Sequence, residues 1–414
     1  MRLRTYESFW LLKNGLIYTY PSVQQNLSAD IVVLGGGITG ALIADMLIRE
    51  GYKTILIDKN DIALGSTSAT TSMLQYEIDV PLYKLEDKIG TDAAVKCYKA
   101  GVAAIRELED LINKEMIDCG FQKKQSLYLA HTRAAGPNLY KEFEARDQNK
   151  LGVKWLSASA IKKKYGLQSF GGILSSVAAS VDAYKLAHEL IKINTRRGLQ
   201  VYDQVEIKKI DHRNKDIIIS LENGCRVKAR KIVYCTGYET VNMFDERIAD
   251  LHSTYACVSE EKIKINKEVN NILLWNTRKP YLYMRTTDDG RLLVGGGDSR
   301  FTSATYMQKN KEKKSKELLK QLQELMPGIN FIEDIMWAGL FGSTKDGLPY
   351  IGAHPDFENA FFVLGFGGNG ITFSIQGRQI IADMLVDKPN ELSYYYGFKR
   401  NLLNFKNKGV TTML

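Results

Sequence analysis

Gly35, Gly37 and Gly40 fall at the G-x-G-x-x-G spacing within Gly35-Gly36-Gly37-Ile38-Thr39-Gly40, and Asp58 ends the next apolar run. These residue types in this order suit a dinucleotide. The first glycine permits a tight turn, the second lets the backbone approach a pyrophosphate, and the third lets a helix pack closely on a strand. Ile38 and Thr39 open that helix, whose N-terminal N–H groups and partial positive charge attract phosphate. Asp58, followed by Lys59, offers a carboxylate to the hydroxyls of a ribose. Gly65-Ser66-Thr67-Ser68-Ala69-Thr70-Thr71-Ser72-Met73 comes next. Its small side chains let a large planar ligand approach and its hydroxyls supply donors. Directly behind a dinucleotide unit, the stretch reads as a cofactor loop.

The elements that must hold these residues are legible around them. Ile31-Val32-Val33-Leu34 is a β-branched strand, and Ile38, Ala41, Leu42, Met46 and Leu47 repeat on one helical face. Gly51 ends the helix, and Thr54–Ile57 forms the second strand. Trp10, Tyr18 and Tyr20 mark an arm that packs on the body. Further along, the patterns predict helices over 91–117 and 138–150, a strand over 126–131, and a helix over 183–197 capped by Asp182. Gly198 stops that helix and 201–210 alternates as one strand. Asn223-Gly224 turns a hairpin between 216–222 and 225–229, and Asp288-Asp289-Gly290 turns another between 282–285 and 292–294. Ile232-Val233-Tyr234-Cys235 is a buried-type strand ending at Thr236-Gly237. Phe361–Leu364 leads into Gly365-Phe366-Gly367-Gly368-Asn369-Gly370 and a helix to Val386.

Gly365–Gly370 repeats the fingerprint, but no apolar strand ending in an acid follows its helix, so it does not complete a second βαβ unit. One complete dinucleotide site beside a large second domain favours a flavoprotein that draws electrons from an organic substrate.

Bulk properties narrow the classes. The chain has 414 residues, a net charge of +9 and 44% hydrophobic residues, which suits two or three folded domains. The densest basic stretch, Lys309–Lys320, interleaves with leucines and reads as a solvated helix face, so nucleic acid is not expected as a partner. The five cysteines (Cys97, Cys119, Cys225, Cys235, Cys257) form no C-x-x-C. Neither a disulfide framework nor a metal site is expected, and a reducing, cytoplasmic setting fits. No signal segment and no transmembrane segment is expected. His131, His252 and His354 show no partner in sequence and read as structural. Lys345 and Asp346 allow either an acid/base pair or a turn, and Thr-x-Asp-Gly-x-Pro favours the turn.

The arrangement resembles the D-amino-acid oxidase-like family of FAD-dependent oxidoreductases, which includes glycine, sarcosine and γ-glutamylputrescine oxidases. Gly35–Gly40 with Asp58, the Gly65–Ser72 loop, Thr236-Gly237, Trp337–Gly352 and Gly365–Gly370 carry the resemblance across about residues 28–388. It implies an α/β fold: a Rossmann-like FAD-binding domain with an interleaved α+β substrate domain, of p-hydroxybenzoate-hydroxylase-like architecture. The expected division is FAD domain 1–85, 156–240 and 336–414, and substrate domain 86–155 and 241–335. The resemblance further implies that Asp58 meets the adenosine ribose and Val205 the adenine. Ser66–Met73 then line the pyrophosphate and flavin. Gly367, Gly368, Asn369, Gly370, Ile371 and Thr372 cap the pyrimidine side, where a helix N-terminus favours negative charge on the reduced ring.

Two departures stand out. Glycine-oxidase-like members carry a carboxylate-binding arginine in the segment matching Gly339–Thr344, and here that position is Phe341. Sarcosine-oxidase-like members link flavin to a cysteine, but none follows Cys257, so FAD is expected to be non-covalent. The implied reaction is hydride transfer from the CH–NH bond of an amine or amino acid to flavin, followed by imine hydrolysis. Oxygen or another acceptor then takes the electrons. Alternatives are a 2-hydroxy-acid dehydrogenase feeding a quinone or carrier, and a flavin redox sensor without turnover. Candidates for the substrate wall are Tyr76, Tyr283, Arg285 and Phe341. Tyr283 and Arg285 share a strand face. Arg285 either replaces the missing carboxylate partner or pairs with Asp288 or Asp289.

Overall fold

The computed structural model describes residues 3–5, 7–212, 215–261 and 263–400; residues 401–414, the end of the last expected FAD segment, lie outside the described residues. The chain opens with α1 (Phe9–Asn14), β1 (Leu27–Leu34), α2 (Ile38–Arg49), β2 (Thr54–Ile57), β3 (Met73–Leu74), α3 (Leu82–Ile89) and α4 (Thr91–Glu115). It continues through β4 (Gln122–Leu129), α5 (Gly136–Gln148), β5 (Val153–Leu156), α6 (Ala158–Tyr165), β6 (Gly172–Ser180), α7 (Ala183–Thr195), β7 (Gln200–Tyr202), β8 (Ile207–Asp211), β9 (Ile217–Leu221) and β10 (Arg226–Tyr234). The remainder forms β11 (Asp250–Ser259), β12 (Ile272–Asn276), β13 (Leu282–Thr286), β14 (Leu292–Arg300), α8 (Ala304–Leu325), β15 (Glu333–Ser343), β16 (Tyr350–Ala353), β17 (Ala360–Leu364), α9 (Gly370–Leu385) and α10 (Leu392–Tyr396).

Two sheets organise the molecule. The first runs β16-β17-β10-β1-β2-β7, with the β9 and β8 ribbon attached to β10. Its centre is parallel: β1 lies between β2 and β10, and β10 pairs in parallel with β17. Helices α2, α4, α7 and α9 share one core with Ile31, Val33 and Leu56 on one face of this sheet. Val32, Ile55, Ile57, Ile232 and Phe362 fill a second core on the other. Such burial on both faces is what the continuous apolar runs of β1 and β2 require.

The second sheet runs β15-β11-β14-β13-β12-β4-β6-β3, with β5 on β6. Alternation sorts its faces. Leu127, Leu274, Leu282, Met284, Leu292 and Val294 join Met307, Leu318 and Leu322 of α8 in one core. The intervening residues face the first sheet. Membership of this sheet crosses the expected divisions. β6 falls inside 156–240 and β15 begins before 336, yet both pair in the second sheet. Conversely α4, inside 86–155, packs with α2, α7 and α9.

Two local expectations change. The stretch 201–210 is two strands, because β7 pairs in parallel with β2 whereas β8 turns back antiparallel on β9. The chain reverses at Gln204, whose φ is 50°. Beyond Asn223-Gly224 the hairpin arm runs unbroken into the buried strand as β10, antiparallel to β9 at its start and parallel to β1 along its length.

Candidate active site

A cavity of about 1040 Å³ lies between the sheets. Leu34, Ile57 and Val363, at the ends of β1, β2 and β17, form one wall, and Tyr128, Thr254, Trp275, Tyr283 and Phe341 of the second sheet form the other.

At the first wall the chain leaves β1 through Gly35, φ 106°. A Cβ on Gly40 would stand 1.8 Å from the Gly35 carbonyl oxygen, so only glycine lets α2 sit this close to the strand end. Gly40 therefore serves by closeness and does not line the cavity, whereas Gly35, Gly37, Ile38 and Thr39 do. Ile38 N donates to Thr67 Oγ1 at 3.0 Å, which ties the cofactor loop to the start of α2. Thr39 Oγ1 meets Ser374 Oγ of α9 at 2.7 Å. Asp58 accepts from Gly36 N at 2.7 Å and Asn60 N at 2.8 Å. Burial pushes its carboxyl up to about 6, against the pull of those two amides and of Lys59. Lys59 pairs with Glu239 at 2.6 Å. Val205 N donates to the Asp58 carbonyl at 3.0 Å, so the β7–β8 reversal is pinned beside this end of the cavity.

The loop of residues 65–73 is held by its carbonyls. Trp337 Nε1 donates to Ala69 O at 2.8 Å, Trp10 Nε1 to Thr70 O at 2.6 Å, and Arg285 Nε to Thr71 O at 2.7 Å. Three consecutive carbonyls are thus drawn to side chains outside the cavity lining. Gly65, Ser66, Thr67, Thr71 and Met73 line the cavity. Ser68 and Ser72 do not: Ser68 Oγ donates to Gly65 O at 3.1 Å, and Ser72 is buried at φ 54°.

Opposite, Gly367, Gly368, Asn369, Gly370 and Ile371 line the cavity at the start of α9, with Thr236 and Gly237 beside them. Thr372 turns inward and donates to Asn369 O at 2.9 Å. Asp79 Oδ2 accepts from Gly368 N at 3.0 Å, and a Cβ on Gly367 would stand 2.5 Å from that oxygen.

The second sheet presents an aromatic row. Tyr128, Trp275, Tyr283 and Gly295 are successive cross-strand partners on β4, β12, β13 and β14. Tyr128 and Trp275 stack with centroids 3.6 Å apart. Gly295 leaves room for the Tyr283 ring, whose nearest atoms would lie 2.4 Å from a Cβ there. Of the four residues expected on the substrate wall, Tyr283 and Phe341 line the cavity.

Tyr76 and Arg285 do not. Tyr76 is fully buried, with its hydroxyl 3.2 Å from Ser175 Oγ and its ring edge-on to Tyr98. Arg285 is buried over the Trp10 ring and donates to the carbonyls of Thr71, Val181 and Thr286. The loop covers this end of the strand face, so the shared parity with Tyr283 does not bring Arg285 to the cavity. Asp346 accepts from Leu348 N at 3.1 Å and Thr344 Oγ1 at 3.2 Å, which is the turn geometry.

Gln75, near the end of the stretch read as the cofactor loop, also lines the cavity, and residues that the sequence reading did not single out complete it: Leu3, Arg4 and Thr5 of the arm, Glu77 and Asp79, and Tyr128, Trp275 and Tyr281. Gln75 and Asp79 reach the cavity from just behind residues 65–73, whereas the Glu77 side chain is fully buried against Ser175 and Arg146.

A sequence profile for the family described as FAD dependent oxidoreductase (DAO) matches residues 30–384. A glycine oxidase of Bacillus licheniformis is 24% identical over 384 residues, covering 89% of this chain and 96% of the relative. The gamma-glutamylputrescine oxidoreductase of Escherichia coli (strain K12) is 21% identical over 379 residues, covering 88% of this chain and 85% of the relative. The crystal structure of glycine oxidase from Geobacillus kaustophilus superposes with a TM-score of 0.75 at 21% identity, covering 91% of this chain and 100% of that one. The chain is an enzyme that belongs to the DAO family of FAD-dependent oxidoreductases.

Proposed function

We propose that this enzyme oxidises the CH–NH bond of an amine or amino acid, with FAD bound non-covalently along the cavity. The observation that carries this reading is the continuity of the cavity, from Gly35, Gly37, Thr39 and Asp58 at one end to Tyr128, Trp275 and Tyr283 at the other. The glycine cradle and Asp58 suit the pyrophosphate and ribose of the ADP half. The loop 65–73 and residues 367–371, which line the same cavity, would hold the flavin. When bound, the flavin supplies the acceptor for a hydride from the carbon bearing nitrogen. The chain's own residues position and enclose: the aromatic row excludes water and presents apolar surface to the substrate, which favours the neutral, reactive amine. The product imine is hydrolysed by water, and oxygen or another acceptor takes the electrons. The five cysteines are free thiols, which supports a reducing cytoplasmic setting. Among the described residues no helix is long and apolar enough to cross a membrane.

Anaerobic mixing of the FAD-loaded enzyme with amines, amino acids and 2-hydroxy acids tests the reading. Bleaching of the flavin by a CH–NH donor is expected. Bleaching by hydroxy acids alone would replace it with a CH–OH dehydrogenase, and no bleaching across the panel would leave a redox sensor. Acid precipitation should release the yellow colour into solution, and colour retained in the pellet would contradict non-covalent binding.

A further inference from the structure

A second cavity, of about 280 Å³, shares no lining residue with the active site. Tyr76 connects the two: its hydroxyl donates to Leu151 O of the second cavity at 3.4 Å, and its neighbour Gln75 lines the first. The second cavity is bounded by α4, by the turn that joins α5 to β5, and by β6. Lys99, Val102, Ala103 and Arg106 fall at i, i+3, i+4 and i+7, so a single face of α4 forms one wall. Lys150 and Gly152 come from the turn, and Ser176 from β6. The lining contains three cations and no acid.

Lys99, Arg106, Lys150 and Ser176 are exposed, so a ligand reaches them from solvent. Among the described residues none of the three cations has an ion-pair partner, although neighbouring acids of α4 do. Glu107 pairs with Arg378 at 3.2 Å and Glu109 with Lys123 at 2.7 Å. Two backbone features shape the hollow. Lys150 has φ 57°, a left-handed conformation uncommon outside glycine, and its N–H donates to Asp147 O at 2.9 Å. Gly152 has φ 68°, and a Cβ there would stand 2.5 Å from Ser176 Oγ. Glycine leaves that hydroxyl its space and lets Gly152 O accept from Ser176 N at 3.0 Å.

Like charges around one hollow repel each other, and a bound anion removes that repulsion. A phosphate monoester carries close to two charges and three acceptor oxygens, which three cations and a hydroxyl match better than they match a single carboxylate. The guanidinium can take two of the oxygens side by side, and the ammonium groups act as point charges. Val102 and Val177 leave apolar surface for a short carbon body.

We infer that this cavity is a second ligand site, which binds a small phosphate monoester through Arg106, Lys99, Lys150 and the Ser176 hydroxyl. The inference stands apart from the CH–NH reading above, because binding here involves neither the flavin nor the amine.

Titration calorimetry on the FAD-loaded full chain at low ionic strength tests it with inorganic phosphate, glycerol 2-phosphate and acetate; the bound FAD keeps these probes out of its own pyrophosphate site. Glycerol 2-phosphate is expected to bind about tenfold or more tightly than acetate. The triple variant Lys99→Gln, Arg106→Gln, Lys150→Gln should weaken that binding about tenfold or more. Lys309→Gln, Lys313→Gln, Lys316→Gln on the exposed face of α8 removes the same charge and should leave it unchanged. All six positions are exposed, and an unaltered visible flavin spectrum checks that each variant is folded. Equal affinity for acetate, no binding of either phosphate, an unaffected first variant or an equal loss in the α8 variant each overturns the inference. Sedimentation with vesicles containing phosphatidic acid, reversed by glycerol 2-phosphate, would assign the phosphate to a lipid headgroup; glycerol 2-phosphate binding without sedimentation assigns it to a soluble ester.

Discussion

Arg285 shows what a guanidinium does when it is buried behind the cavity lining. Its donors fix Thr71 O, Val181 O and Thr286 O, and its Cζ lies 5.3 Å from the Trp10 ring centre. Arg285→Met keeps the volume and removes the donors. It should cost about 2 kcal/mol or more in denaturant unfolding and loosen FAD retention, because buried carbonyls are left unpaired. An unchanged midpoint would remove Arg285 from that role. Residue-scale reasoning from sequence placed Asp58 and the glycines at the cavity, because their chemistry depends on neighbours in the chain. It misplaced Arg285 and Tyr76, because strand parity names a face and cannot say what covers it. Two carboxyls, Asp58 and Asp298, are pushed up to about 6 from 3.8, with burial the largest cause in each. A raised carboxyl holds its proton in the folded state after the unfolded chain has released it. Stability from these groups is therefore full below pH 3.8 and is lost as pH rises through about 6. The melting temperature of Asp298→Asn minus that of the FAD-free native chain should grow between pH 4 and pH 7; a flat difference would contradict the assignment.

Helix α2 is seated on β1 by one missing side chain. Gly40→Ala puts a methyl group 1.8 Å from the Gly35 carbonyl, with backbone on both sides and no flexible side chain to give way. The helix must shift, so the variant should lose about 2 kcal/mol or more and fail to retain FAD; a stable, yellow variant would refute this. The unit β1-α2-β2 was readable because its signals are local: β-branched runs, a glycine turn and a helical period. The Asp182 cap is equally local, and its side chain accepts from Lys185 N at 2.9 Å. The aromatic row was not readable. Tyr128 and Trp275 meet only because β4 and β12 pair in parallel at one register, which neither segment encodes alone. The split between β7 and β8 was hidden for the same reason, since each half follows a different partner strand.

At the scale of the molecule, distant segments share one cavity. Residues 3–5 of the arm cross to β15 through Thr5 N to Ala338 O at 2.9 Å and Leu340 N to Leu3 O at 2.8 Å, while residues 367–371 close the far side. The interleaving of two sheets follows from the family's architecture and was legible as such. The exact exchange of β6, β15 and α4 between layers was not, because it depends on which face each element buries. A ligand that binds only the folded form stabilises it by mass action. Added FAD should therefore raise the melting temperature with concentration and slow unfolding, while leaving the refolding rate nearly unchanged, because the cavity needs contacts far apart in the chain. Refolding accelerated in proportion to FAD would show instead that the cofactor templates the fold. The same layout bears on synthesis at the ribosome. β1 emerges early, but its partner β10 is not made until residue 234, and the cavity lacks a wall until residue 371 has left the exit tunnel. Until then the nascent chain has no complete cavity and stays colourless, so cofactor capture follows the emergence of that residue.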